Sequence, residues 1–181
     1  GPKVFSAGLD VPHLLGLGED RAALRNAWTV FFDAARALGE CPVPVAAAIG
    51  GHAPAGGCVL ALCCDYRVMA RSEDPDRAFR IGLNETQVGL VAPEGIQHLL
   101  RRVVGAYRAE RLLVAGEMVD SARALEIGLV DELTAADEVG TRAVAWLASL
   151  LALPRQPMLR TREIARADVV AALQPERIQL E

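Results

Sequence analysis

Apolar residues follow two spacings along this chain, one typical of strands and one typical of helices. Continuous apolar runs at residues 44–49 and 66–70 predict buried strands, because strands covered on both faces show no alternation. Residues 19–38 repeat apolar side chains every three or four positions, which predicts an amphipathic helix. The remaining predicted elements are strands at 3–6, 79–83 and 129–133 and helices at 58–64, 93–102, 106–115, 121–127, 136–151 and 160–173.

The order of these elements predicts an α/β fold. Strands and helices alternate as far as the strand at 129–133, and only helices follow. A glycine-rich loop is predicted around 16–18. Ser121 is the predicted N-cap of its helix, and Gly128 is the predicted C-cap. The segment 154–157, which begins and ends with proline, is a predicted hinge before the last helix.

Composition and charge exclude several classes of protein. The 181 residues are 52% hydrophobic, with a mean hydropathy of +0.24, so a sizeable core is expected and disorder is excluded as the main state. The net charge is −4 and Lys3 is the only lysine, which argues against binding to nucleic acid or to a membrane surface. Residues 42–64 are apolar enough to imitate a membrane span, but their prolines and glycines would break a single helix.

Four cysteines lie in apolar surroundings, at Cys41, Cys58, Cys63 and Cys64. Their spacing matches neither a CxxC motif nor a Cys/His metal site, so no metal is predicted. We expect small, buried, reduced side chains and a reducing compartment.

Three segments carry residues suited to chemistry. The glycine turn at 5–10 follows a predicted strand, and the glycine turn at 54–58 precedes a predicted helix. At both places free backbone N–H groups can approach a ligand. Two such groups aimed at one oxygen would form an oxyanion hole. In the third segment, 81–93, Glu85 is the only charged residue. A carboxylate in apolar surroundings has a raised pKa, which suits a proton shuttle.

Together these segments resemble the crotonase superfamily, also called the enoyl-CoA hydratase/isomerase family. The resemblance rests on FSAGLD at 5–10, PVPVAAAIGGHAPAGGCVLALCCDYRVMA at 42–70, IGLNETQVGLVAP at 81–93 and RALEIGLVDEL at 123–133. Within the superfamily, the third motif looks most like the mitochondrial-type Δ3,Δ2-enoyl-CoA isomerases. The resemblance implies an α/β crotonase (ClpP/crotonase-like) fold of stacked ββα units with a helical C-terminal part.

The resemblance also implies roles for individual residues. The backbone N–H groups of Leu9 and Gly56 match the family's oxyanion hole for the thioester oxygen of an acyl-CoA. Glu85 matches the catalytic acid/base. The implied substrate contacts are Ala7, Leu9, Asp10, Val11, Gly56 and Asn84. Coenzyme A is then part of the substrate, and no separate cofactor is expected.

One position separates the family's activities. Hydratases of the family resemble one another in a second glutamate, three residues after the oxyanion glycine, and Val59 stands there in this chain. One carboxylate suffices to shift a double bond, so the predicted reaction converts 3-enoyl-CoA to 2-trans-enoyl-CoA. The alternatives are hydration or thioester hydrolysis assisted by Glu94 or His52, and a non-catalytic acyl-CoA-binding protein.

The resemblance carries three further expectations. The chain is expected to be a fragment, with residues 1–133 forming a core that lacks its usual N-terminal strands and residues 134–181 a truncated helical region. A homotrimer or hexamer is expected, with an acyl-CoA thioester as ligand and neither nucleic acid nor membrane as partner. The expected compartment is the cytoplasm, although an organellar targeting segment stays open.

Overall fold

Strands and helices alternate along most of the protein, whose residues 3–179 are described by a computed structural model. The strands are β1 (Ala46–Ile49), β2 (Ala53–Pro54), β3 (Tyr66–Ala70), β4 (Arg80–Gly82), β5 (Val119–Asp120) and β6 (Glu132–Thr134). The helices are α1 (Val11–Gly16), α2 (Arg21–Gly39), α3 (Gly56–Leu62), α4 (Glu94–Val104), α5 (Ala106–Ala115), α6 (Ser121–Glu126), α7 (Val139–Leu151), α8 (Arg155–Ala165) and α9 (Ala167–Ala172). Short 3-10 turns occupy Pro75–Arg77, Glu85–Val88 and Pro175–Arg177.

The six strands form two small sheets of three strands each. The first has the order β1-β3-β6 and is parallel, with Ala48 opposite Val68 and Met69 opposite Leu133. The second has the order β2-β4-β5, with β4 parallel to β2 and antiparallel to β5. The units β1-β2-α3 and β3-β4-α4 therefore stack with equivalent strands side by side, which confirms the predicted α/β fold of stacked ββα units.

Burial on both faces explains why β3, the central strand of the first sheet, lacks alternation in sequence. Val68, Met69 and Ala70 are all fully buried. Helix α7 packs against β1 and β3, and its Val139 and Ala143 form a small cluster with Val68. The main core lies on the other side and extends to Val169 in α9. Strands enclosed in this way read as continuous apolar runs.

An ion pair ties the C-terminal helices to the end of α3. The Asp65 carboxylate accepts hydrogen bonds from Nε and Nη2 of Arg162, each at 2.8 Å. It lies 3.3 Å from Arg166 Nη1 and also accepts a hydrogen bond from Val45 N–H at 2.8 Å. These side chains are nearly buried, so Asp65 holds two guanidinium groups and the start of β1 in one network.

Several predicted boundaries were wrong near the N-terminus. Residues 3–6 form only a single β-bridge, between Val4 and His52, instead of a strand. The chain before the predicted loop at 16–18 instead folds into α1, because the Asp10 carboxylate caps its first turn by accepting a hydrogen bond from His13 N–H at 3.0 Å.

Other corrections concern the later helices. The N-cap of α6 is Asp120 instead of Ser121, since the Asp120 side chain accepts the hydrogen bond from Arg123 N–H. The predicted hinge at 154–157 is the start of α8, where proline is compatible with the first helical turn. The predicted helix at 160–173 is two helices that meet at Arg166. Within residues 3–179 no helix is long and apolar enough to cross a membrane.

Candidate active site

The two glycine turns meet through direct backbone contact. A Cβ atom placed on Gly56 would lie 2.6 Å from Gly8 Cα, and one placed on Gly57 would lie 1.8 Å from the Ser6 carbonyl oxygen. Gly8 has φ +84°, a conformation that favours glycine. The Ser6 hydroxyl secures the first turn by accepting a hydrogen bond from Gly8 N–H at 3.1 Å. Only residues without side chains at these positions bring the turns this close.

The backbone N–H groups predicted to form the oxyanion hole lie on these turns. Leu9 follows Gly8 directly, and Gly56 begins α3. Neither N–H donates a hydrogen bond to another residue among 3–179. Ala55, which precedes Gly56, has φ 44° and ψ −116° and is the one residue other than glycine with positive φ in the described chain. This strained conformation sets the direction of the Gly56 N–H group.

The two turns form one wall of a cavity of about 480 Å³. The residues that line it are Ala7, Leu9, Val11, Leu14, Leu15, Trp28, Phe31, Phe32, Pro54, Ala55, Gly56, Val59, Asn84, Glu85, Val88, Leu90, Val91, Pro93 and Ile96. Five of the six residues predicted to contact substrate and all three predicted catalytic residues are among them. The lining is apolar apart from backbone groups, Asn84, Glu85 and the Trp28 indole.

Glu85 is the only ionisable side chain in this lining. It begins the 3-10 turn that follows β4, and its Oε2 atom is buried without a hydrogen-bond partner in the described structure. Burial raises the pKa of the Glu85 carboxyl above its ordinary value, and a backbone hydrogen bond opposes this only in part. A carboxyl group in this state can both accept and return a proton at the cavity wall.

Asn84 lies beside Glu85 and also lines the cavity. Asparagine at a helical N-cap usually accepts a hydrogen bond from the backbone of the turn that follows, but the Asn84 side chain makes no such bond. Its Oδ1 atom is buried and unpartnered, like Glu85 Oε2. Within residues 3–179, Arg166 Nε is the only other buried side-chain polar atom in this condition.

Three residues considered from the sequence lie outside the cavity lining. The Asp10 carboxylate caps α1. His52 accepts a hydrogen bond from Arg80 N–H at Nδ1 and packs edge-on against Phe79. Glu94 forms a bidentate ion pair with Arg177, at 2.6 and 2.8 Å, which lowers the pKa of its carboxyl. His52 and Glu94 are thus engaged in structural contacts, whereas Val59, the position at which the resemblance implies a second glutamate in hydratases, lines the cavity.

Three aromatic residues of α2 line the cavity, although the sequence indicated them only as the apolar face of a helix. Trp28 stacks on Phe32 with ring centroids 6.1 Å apart, and Phe31 packs edge-on against Phe32 at 5.5 Å. A Cβ atom on Gly56 would lie 2.9 Å from Phe31 Cζ, so the Phe31 ring covers the second glycine turn. Only 4% of the chain is aromatic, so the clustering of three aromatic residues on one helix was the sequence feature that could have indicated this part of the cavity.

Comparisons with known proteins identify the relatives of this chain. The family model described as enoyl-CoA hydratase/isomerase matches residues 1–181. The mitochondrial enoyl-CoA delta isomerase 1 of Homo sapiens is 34% identical over 176 residues, which are 97% of this chain and 56% of the human protein. A probable enoyl-CoA hydratase of Mycolicibacterium paratuberculosis is 34% identical over 187 residues, covering 99% of this chain and 70% of that protein. The chain thus spans about half the length of the human relative.

Solved structures show the same fold. The crystal structure of human mitochondrial delta3-delta2-enoyl-CoA isomerase superposes with a TM-score of 0.76 at 32% identity, covering 97% of this chain and 72% of the human one. An enoyl-CoA hydratase/isomerase family protein from a Pseudomonas species superposes with a TM-score of 0.82 at 27% identity, covering 96% and 72% of the two chains. This chain therefore belongs to the enoyl-CoA hydratase/isomerase family of the crotonase superfamily.

Proposed function

We propose that this cavity is the active site of an acyl-CoA isomerase that converts 3-enoyl-CoA to 2-trans-enoyl-CoA. The observation that carries the proposal is the single ionisable side chain, Glu85, in a cavity otherwise lined by apolar groups, with Val59 at the position of the second glutamate of hydratases. One carboxyl group can move a proton between two carbons, but it lacks the partner with which hydratases position water.

The proposed reaction is a proton transfer within one substrate molecule. The Glu85 carboxylate removes a proton from C2 of the 3-enoyl-CoA, and the electron pair shifts toward the thioester oxygen. The N–H groups of Leu9 and Gly56 stabilise the resulting dienolate. Protonated Glu85 then delivers the proton to C4, the double bond forms between C2 and C3, and Glu85 is again a carboxylate. Atoms and charge balance without a metal or a redox cofactor.

Apolar walls assist this chemistry in two ways. The side chains of Phe31 and Val59 keep water from the carboxyl group and from the dienolate. The same desolvation raises the pKa of Glu85 toward the range in which a carboxyl group exchanges protons effectively.

The test is conversion of a short and a long 3-enoyl-CoA by the protein and by Glu85→Gln. We expect conversion by the wild type, loss of at least about a hundredfold in rate in the variant, and unchanged binding of a saturated acyl-CoA. A variant with near-wild-type rate would exclude Glu85 as the shuttle. Formation of 3-hydroxyacyl-CoA as the main product would favour the hydratase alternative, and formation of free coenzyme A would favour the hydrolase alternative. Binding without turnover would favour a non-catalytic protein.

The assembly and compartment stay predictions from the resemblance. We propose a homotrimer or a hexamer, which light scattering of the purified protein can test: a monomer at all concentrations would contradict it. The absence of a separate cofactor and the cytoplasmic location are proposed on the same ground.

A further inference from the structure

His52 lies between the two segments that carry the proposed catalytic groups. Its backbone pairs with the segment that leads into the first glycine turn. The His52 N–H group donates to the Lys3 carbonyl oxygen at 3.0 Å, and the His52 carbonyl oxygen accepts a hydrogen bond from Phe5 N–H at 2.9 Å. The fit is tight, because a Cβ atom on the adjacent Gly51 would lie 2.3 Å from the Lys3 carbonyl oxygen. The chain that continues to Leu9 is therefore held by the His52 backbone.

The side chain of His52 bonds to the strand on its other side. Its Nδ1 atom accepts a hydrogen bond at 3.1 Å from the N–H group of Arg80, the first residue of β4. The pairing of β2 with β4 begins one residue later, with Ala53 opposite Ile81. The ring thus extends this pairing by one position, while the N–H and carbonyl groups of His52 are bonded to the first segment. Strand β4 leads in turn to Glu85.

The Arg80 N–H group also fixes which ring nitrogen of His52 carries hydrogen. A backbone amide nitrogen can donate but not accept, so Nδ1 presents a lone pair and the hydrogen of the neutral ring lies on Nε2. The ring packs edge-on against Phe79, with centroids 5.5 Å apart and planes at 89°. Position 52 therefore requires an acceptor atom attached directly to Cγ.

We propose that His52 is a positioning residue, which holds the turn that carries the Leu9 N–H group and the strand that leads to Glu85 at a fixed separation. This inference rests on the proposed function, in which the N–H group stabilises the dienolate oxygen while Glu85 moves the proton. His52 is not among the residues that line the cavity, so it acts through the two segments that it joins. Such separations matter, because a displacement of about 1 Å can cost about a hundredfold in rate.

Two variants separate the acceptor atom from the ring. Asparagine carries its side-chain oxygen on Cγ, as histidine carries Nδ1, whereas glutamine carries its oxygen one bond further out. Both substitutions lose the ring contact with Phe79. We expect His52→Asn to keep kcat for a 3-enoyl-CoA within about threefold of the wild type and His52→Gln to lower it by about tenfold or more. KM should stay within about twofold in both, because the loss concerns the reacting groups and not the binding of substrate.

Three kinetic outcomes would contradict the inference. Wild-type activity with equal kcat values in the two variants would overturn the positioning role alone, because the acceptor would then not matter. A higher KM with unchanged kcat in His52→Gln would also overturn it, since His52 would then affect binding. Absence of isomerisation by the wild type would overturn the proposed function together with the positioning role that rests on it.

Exchange of the Arg80 amide hydrogen, followed by NMR, reports on the bond itself. We expect exchange about tenfold faster in His52→Gln than in the wild type, the factor for one hydrogen bond, and little change in His52→Asn. Equal exchange in all three proteins would show that the bond does not hold β4.

The wild type alone provides a test if His52→Gln fails to fold. In protein labelled with heavy nitrogen at its histidines, NMR at about pH 8, where the imidazole is neutral, distinguishes the two ring tautomers. We expect hydrogen on Nε2 of His52 and none on Nδ1. A hydrogen on Nδ1 would exclude the bond from Arg80 N–H and overturn the inference.

Discussion

Gly8 and Gly56 pack backbone against backbone, although they lie in different turns of the chain. A Cβ atom on Gly8 would lie 2.8 Å from Gly56 Cα, and one on Gly56 would lie 2.6 Å from Gly8 Cα. Both distances are shorter than van der Waals contact allows. This contact places the N–H groups of Leu9 and Gly56 on the same wall of the cavity.

Replacing Gly56 with alanine should therefore impair the protein more than the size of a methyl group suggests. The new Cβ atom would clash with Gly8 and with the Phe31 ring, which have to move apart. We expect Gly56→Ala to lower the free energy of unfolding by about 1–3 kcal/mol, the usual cost of overpacking. Displacement of the N–H group that we propose as one oxyanion donor should reduce the isomerisation rate by about a hundredfold or more. Chemical unfolding and the 3-enoyl-CoA assay measure the two effects.

Gly140 supplies the matched control. It lies in α7, and a Cβ atom there would meet nothing within 4 Å. Gly140→Ala should stabilise the helix by about 0.5–1 kcal/mol without affecting activity. Similar behaviour of the two alanine variants would show that the contact between the glycine turns is not required.

The raised pKa of Glu85 links the proposed function to stability. Burial favours the neutral carboxyl, so ionisation at higher pH costs the folded state, and the stability that Glu85 contributes is lost as the pH rises through its folded pKa. Glu85→Gln should therefore raise the melting temperature at about pH 8, and the gain should vanish below the ordinary pKa of 4.5. Scanning calorimetry across this pH range provides the test, and a gain independent of pH would contradict it.

Glu94 should tolerate loss of its charge. It is exposed and paired with Arg177, outside the cavity lining. Glu94→Gln should change the free energy of unfolding by less than about 1 kcal/mol, as expected for a surface ion pair. The isomerisation rate should stay within about twofold of the wild type. A loss comparable to that of Glu85→Gln would instead place Glu94 in the chemistry.

Asp65 should be among the most sensitive positions for stability. Removing its charge leaves Arg162 and Arg166 without their counterion where their side chains are only 12% and 7% exposed. We expect Asp65→Asn to lower the free energy of unfolding by about 3 kcal/mol or more. Asp33→Asn is the control, because Asp33 pairs with Arg36 at the surface and should lose less than about 1 kcal/mol. Equal losses in urea unfolding would show that Asp65 does not anchor the C-terminal helices.

The cysteines should differ in reactivity. Burial raises the pKa of Cys63 to about 12 and that of Cys64 to about 11, and it also raises the pKa of Cys58. Because the thiolate is the reactive form, these three should resist iodoacetamide in the native protein at neutral pH. Cys41 is partly exposed and should be modified first. Mass spectrometry should find all four modified after unfolding, and early labelling of Cys58 would contradict the buried core.

The pattern of apolar residues and glycines predicted the helices and strands whose ends depend on neighbouring residues. The strand at 66–70 and the helix at 106–115 have the bounds expected from their apolar residues and flanking glycine. Helix α1 was not predicted, because it has only six residues, is capped by Asp10 and shows no repeating apolar face. The break between α8 and α9 was not predicted either. Arg166, at the break, donates a hydrogen bond to the Cys63 carbonyl oxygen and pairs with Asp65, and both partners are distant in sequence.

The sequence by itself determined the α/β order, the two glycine turns and the single glutamate that identify the family, because each is a property of a short segment. Only the tertiary structure decided which of these residues share a cavity, since that depends on contacts between segments far apart in the chain. It brought Gly8 against Gly56, placed Val59 and the α2 aromatics around Glu85, and committed Asp10 and Glu94 to other partners. The buried, unpartnered oxygen of Asn84 likewise follows from packing, which no local pattern of residues records.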